Sequence, residues 1–205
     1  AGRNITSGNE NIFIGYNAGN AVVTTSNNIF IGYKAGELSI GYDNIFIGER
    51  AGILDANANS HAHVIIGKRA GFVMDYSAVT ATFPVENTFV GHQAGMDSTH
   101  SIDNTYIGAE AGLHCNPTDG NTGYNTFVGA YAGAGAAVGC VGISNTIVGA
   151  TGLYNFTSAY DNCGMGRGTL NDTTTGYRNT VLGRESGGSI TTGYGNTFVG
   201  YATGK

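Results

Sequence analysis

Charge is scarce in this chain of 205 residues: Asp, Glu, Lys and Arg together make up 11% of it, and the formal net charge is -5. No cluster of Lys or Arg occurs. Nucleic acid and anionic membranes are bound through concentrated positive charge, so neither is an expected partner. No apolar run is long enough to span a bilayer as a helix, so no membrane insertion is expected. Proline occurs only twice and Gly does not fall at every third position, which removes the collagen triple helix. The three cysteines form no CxxC pair. No Gly-rich stretch carries the Lys-Ser/Thr ending of a phosphate-binding loop.

Glycine, by contrast, is abundant, with 35 copies, and hydrophobic residues make up 41% of the chain. That apolar share, with Phe and Tyr spread along the whole length, is enough to offset the entropy of ordering. The glycine is periodic. A phrase of the type "NIFIG" or "NTFVG" recurs eleven times, closing at Gly15, Gly32, Gly48, Gly67, Gly91, Gly108, Gly129, Gly149, Gly166, Gly183 and Gly200. The spacings are 17, 16, 19, 24, 17, 21, 20, 17, 17 and 17, and most copies continue into Ala-Gly. A fixed period with insertions in one part of the unit is the mark of a solenoid. β-branched and aromatic residues fill each phrase and a Gly ends it, so each is a short strand closed by a turn. The expected fold is an all-β parallel β-solenoid (β-roll) of about eleven coils with a repeat of about 17 residues. Residues 1–205 form one repeat domain. A second strand is expected before each phrase, where Tyr160, Tyr177 and Tyr194 fall in register, with Tyr42 matching earlier.

Stacked coils lie about 4.8 Å apart, so equivalent residues form ladders and the whole makes a rod of roughly 50 Å. Asn opens ten of the eleven phrases, at Asn11, Asn28, Asn44, Asn87, Asn104, Asn125, Asn145, Asn162, Asn179 and Asn196, with His63 the exception. Such a column is read as a structural ladder, bonded from coil to coil at a tight turn. The fourth position is strictly aliphatic and is assigned to the coil interior. By alternation along a strand, the third position then faces outward: Phe13, Phe30, Phe46, Phe89, Tyr106, Phe127 and Phe198, with smaller residues in the remaining coils. An outward apolar stripe of that length is an aggregation liability unless it is covered. It is therefore expected to be a self-association stripe, with a parallel trimer as the favoured form and an end-to-end filament as the other.

The phrase N-T-F-V-G-x-x-A-G resembles the head repeats of trimeric autotransporter adhesins. It is also similar to Gly/Asn-rich repeats of phage tail fibres and of bacterial surface proteins that carry a C-terminal intramolecular chaperone. The resemblance implies a left-handed parallel β-roll that trimerises outside the cell, at a cell surface or on a virion. Two features depart from the adhesin pattern: that repeat is usually shorter, and its third position is usually small where this chain has Phe. Ala1-Gly2 reads as the end of a preceding unit and Gly204-Lys205 as the same point of the last one. The chain is accordingly expected to be a segment of a longer fibre, or a subunit that stacks end to end.

Little else points to chemistry. His61 and His63 share one side of a strand, but no third metal ligand lies nearby in sequence, and no metal or cofactor is expected. "DANANS" at Asp55 to Ser60 begins like a calcium loop, yet Ser60 and Ile66 stand where the loop's Gly and Glu belong. Cys115 and Cys140 lie in insertions of adjacent units and are candidates for pairing, whereas Cys163 reads as a small core residue. Asn4, Asn155 and Asn171 begin glycosylation acceptor triplets, which are expected by chance in a chain so rich in Asn and Thr. The fourteen acidic residues recur in no column, so an enzyme is not expected. The expected role is a structural and adhesive fibre segment. Its insertions after Gly48, Gly67, Gly108 and Gly129 would serve as contact loops toward a cell-surface glycan or protein receptor. The alternative is an ice- or carbohydrate-surface binder using the column Thr88, Thr105, Thr126, Thr146, Thr180 and Thr197. Against it, alternation puts that column on the same side as the aliphatic residues assigned to the core.

Overall fold

A computed structural model describes residues 1–55, 61–74, 86–99, 101–115, 122–135 and 140–205. The chain is all-β, a parallel β-solenoid with a repeat of about 17 residues, and no helix occurs among the described residues. The phrases form the strands Ile12–Ile14, Ile29–Ile31, Ile45–Ile47, Val64–Ile66, Thr88–Val90, Thr105–Ile107, Thr126–Val128, Thr146–Val148, Cys163–Met165, Thr180–Leu182 and Thr197–Val199. They pair in chain order into one eleven-stranded parallel sheet. Register is strict: Phe13 lies beside Phe30, Phe30 beside Phe46, and so on through Val181 beside Phe198. Three residues per strand suffice because each inner strand is bonded on both sides. The second-position N–H donates to the Asn carbonyl of the next coil, as Ile29 does to Asn44 at 2.8 Å, and each closing Gly donates back to the coil before, as Gly32 does to Ile14 at 2.8 Å.

The opposite wall is bonded in the same way without forming a continuous sheet. The Gly of an Ala-Gly pair donates to the wall carbonyl one coil on, as in Gly36 to Ala51 and Gly52 to Ala70, both at 3.0 Å, and Gly133 to Gly152 at 2.9 Å. The wall before the Asn column is partly β, as expected. Ser101–Ile102 pairs with Thr122–Gly123 and Val141–Ile143 with Ser158–Tyr160. Single bridges join Tyr160 to Tyr177, Tyr177 to Tyr194, and Tyr42 to His61.

The interior is the reverse of the sequence expectation. Phe30, Phe46, Phe89, Tyr106 and Phe127 are fully buried, and Phe13 and Phe198, on the two outermost strands, are half-buried against the same core. The stripe assigned to self-association is therefore the core, and the fourth column, assigned to the core, faces solvent. The physical reason lies in the space across the coil. In the inner coils the third side chain points at the Ala-Gly wall, whose small residues leave room for a ring. A Cβ at Gly52, which sits at φ +55, would lie 2.6 Å from the Phe46 ring. The coil spacing also suits flat rings: Phe30 and Phe46 stack at 4.7 Å, and Phe89 and Tyr106 at 4.8 Å. Each buried ring contributes about 1.5–3 kcal/mol of hydrophobic stabilisation.

Candidate interaction surface

With the third column inside, the second and fourth columns form the outer face of the sheet, and none of their residues is buried. Exposure reaches 58% at Ile14, 53% at Met165 and 65% at Val199. The first four rows are aliphatic in both columns: Ile12 with Ile14, Ile29 with Ile31, Ile45 with Ile47, and Val64 with Ile66. The remaining seven rows pair Thr, or once Cys163, with Val, Ile, Met or Leu, and no charged residue occurs on any of the eleven strands. Two expectations change as a result. Cys163 is exposed on this face rather than packed in the core. The Thr column also faces outward, which removes the objection that alternation raised against it.

The Asn column lies at the corner leading into each strand. The residue before it has a left-handed conformation ahead of ten of the eleven strands, from Glu10 (φ 58) to Gly195 (φ 65). The chain turns there, so the Asn N–H has no strand partner and needs a side chain. Each Asn Oδ1 accepts the backbone N–H of the next Asn, at 3.0 Å from Asn28 to Asn11, Asn125 to Asn104 and Asn145 to Asn125. Its Nδ2 donates to a carbonyl of the following coil, as Asn125 does to Gly142 at 2.7 Å and Asn145 to Ala159 at 2.8 Å. The position thus demands an acceptor and a donor on one short, uncharged side chain, which Asn supplies. All of this is buried in the middle coils, where an unmade bond is costly.

His63 continues the column. Its N–H donates to Asn44 Oδ1 at 3.1 Å, and its Nδ1 accepts the Asn87 N–H at 3.0 Å. Nδ1 is occupied as an acceptor, so the buried ring is neutral with its proton on Nε2. Burial, with a smaller contribution from neighbouring His61, pushes its pKa down to about 3. The pair singled out for metal binding is therefore engaged otherwise: His63 in the ladder, and His61 against Tyr42, with ring centres 4.8 Å apart and the planes tilted by 37°. Among the described residues no three His, Cys, Asp or Glu side chains converge.

Cys115 and Cys140 are both buried; Cys115 Sγ donates to the Gly133 carbonyl at 3.4 Å, and burial raises its pKa to about 12. The glycosylation-type Asn amides are used locally, Asn4 donating to Asn20, Asn155 to Asp172 and Asn171 to Thr151. Tyr160, Tyr177 and Tyr194 stack at 4.6 and 4.9 Å, so their faces cover one another and only edges are offered along most of the ladder. An open cleft of about 370 Å³ lies by Arg167, Asp172, Glu185 and Lys205. Its charges are paired in part, Glu185 lying 2.9 Å from Arg184 and 3.6 Å from Lys205. The stretches expected to act as contact loops, and all but the first residue of the calcium-loop-like "DANANS", fall largely on residues 56–60, 75–85, 116–121 and 136–139, outside the described residues. No protein-family model, curated protein or solved structure matches this chain.

Proposed function

We propose that this chain is a structural and adhesive fibre segment that works outside the cell, as a surface adhesin head or a phage tail-fibre shaft, in assemblies with copies of itself. One observation carries the reading: eleven strands stack in register along a single axis without a break. Every inter-coil hydrogen bond of the sheet, the Ala-Gly wall and the Asn column runs along that axis, so load applied along the rod is shared by three parallel ladders. Eleven rows at about 4.8 Å give roughly 50 Å of shaft. The four insertions, read from the sequence as contact loops, would supply the contacts to a glycan or protein receptor. Light scattering behind size exclusion, at several concentrations, tests the assembly. A stable multiple of the 21.0 kDa chain, threefold for a trimer, is the expected result. Growing polymers would indicate end-to-end filaments, and a monomer at every concentration would refute the reading.

The outward Thr column favours a second reading, a binder of an ice or carbohydrate surface. Thr88, Thr105, Thr126, Thr146, Thr180 and Thr197 stand in register on one face of the sheet, interrupted by Cys163. Thermal hysteresis in dilute solution would support it, and its absence would remove the ice surface.

A further inference from the structure

The eleven-stranded sheet fills the coil with one face and leaves the other to solvent, uncharged from end to end. Three residues at about 3.3 Å and eleven rows at about 4.8 Å make a strip of roughly 50 by 10 Å, on the order of 500 Å² in plan before its corrugation is counted. A stable interface needs about 800 Å² of accessible surface per partner. In plan the strip falls short of that figure, and with its corrugation and rim counted it approaches it only if a partner engages it along its full length. Such a partner must be equally long and apolar, with the same twist, and a second copy of the chain has those properties. The chain's net charge of -5 opposes association, but none of that charge lies on the strip.

We infer that this outer face, made of the second and fourth columns, packs against the same face of further copies, in parallel and in register about an axis along the rod. The inference rests on the fibre reading and adds to it the surface and the orientation. Orientation follows from a chemical gradient along the strip. Ile12, Ile14, Ile29 and Ile31 lie at one end, and Thr180, Leu182, Thr197 and Val199 at the other. An antiparallel pair would set the Thr hydroxyls of one copy against the isoleucines of the next, burying donors without acceptors. A parallel arrangement sets Ile rows against Ile rows and Thr rows against Thr rows, where hydroxyls can bond one another across the interface.

Cys163 marks the register. It is the exposed cysteine of the three and sits in the ninth of the eleven strands. Parallel copies bring their Cys163 side chains to one height, whereas antiparallel copies set Cys163 opposite the third strand, Ile45–Ile47. The test treats the full chain with a bismaleimide that spans about 10 Å, the usual gap between packed sheets. It compares the natural sequence with Cys163→Ser, Ile45→Cys and Ile31→Lys. A Cys163 to Cys163 product in the natural sequence is expected. Cys163→Ser should abolish it, and Ile31→Lys should abolish it together with association while leaving the far-ultraviolet dichroism unchanged. Cross-linking between positions 45 and 163 of two copies, without the Cys163 to Cys163 product, would overturn the orientation. A protein that associates while its Cys163 neither cross-links nor loses reactivity would overturn the surface and leave the fibre reading standing. A monomer throughout would remove both.

Discussion

His63→Asn should make the protein more resistant to acid while changing little at neutral pH. In the folded chain the His63 ring is neutral down to about pH 3, because it is buried and lies near His61. In the unfolded chain the same ring takes up a proton near its ordinary value of 6.5. Between those two values the unfolded state holds one more proton than the folded state, so stability falls as pH falls. The contribution is complete above about 6.5 and is lost progressively below it, at about 1.4 kcal/mol per pH unit. At pH 4 the loss attributable to this ring is about 3 kcal/mol. Asparagine already occupies the neighbouring rungs at Asn44 and Asn87, and its Oδ1 can accept the same N–H without titrating. Urea unfolding followed by circular dichroism at pH 7, 6, 5 and 4 measures the effect. The two proteins should agree within about 1 kcal/mol at pH 7, and the variant should lead by about 3 kcal/mol at pH 4. Carboxylates destabilise both proteins in acid, but they cancel in the difference. Parallel pH profiles for the two would refute the placement of a neutral histidine in the ladder.

Three further outcomes follow from the same geometry. Phe46→Ala should cost about 3–5 kcal/mol in urea unfolding, whereas Ile47→Ala, next to it on the outer face, should cost under about 1.5 kcal/mol in the isolated chain; the opposite order would restore the aliphatic column to the interior. Asn125→Ala removes the acceptor of the buried Asn145 N–H and the donor to the Gly142 carbonyl, and should cost about 1–3 kcal/mol for each group left unpaired, read from the urea midpoint. Gly52→Ala drives a Cβ to 2.6 Å from the Phe46 ring and adds left-handed strain, while Gly195→Ala, at φ +65 with nothing within 4 Å, carries the strain alone; melting temperatures should fall more for the first, with about 1–2 kcal/mol expected for the second.

The period, the strand type, the register and the Asn rungs are legible because each is a local property repeated at the coil spacing. Which face turned inward was not, because a β-strand with apolar residues at three successive positions obeys alternation either way round. Constancy of residue type is a poor guide to burial here: the fourth column is aliphatic throughout and yet exposed. Trade of volume is the better guide. Where the third column keeps a large ring in the inner coils, the opposite wall is Ala-Gly, as at Phe30 with Ala35 and Gly36. At Ile147 the wall becomes Gly152 and Leu153, and at Gly164 it becomes Thr169 and Leu170, with both leucines fully buried. A Cβ at Gly164 would meet Thr169 Oγ1 at 3.0 Å, so the volume missing from the strand has moved to the wall it faces. Only residues that share one closed space need to compensate in this way. The left-handed corners show the other limit of sequence reading. Lys34, Arg50 and Tyr131 hold φ of 58, 57 and 59, although none of these residue types favours that region. Each corner is bonded to the coil before it, Lys34 to Tyr16, Arg50 to Tyr33 and Tyr131 to Ala109, at 2.8 to 2.9 Å. The conformation is set by closure of the coil and the hydrogen bonds that closure brings, so it becomes visible only when neighbouring coils are stacked.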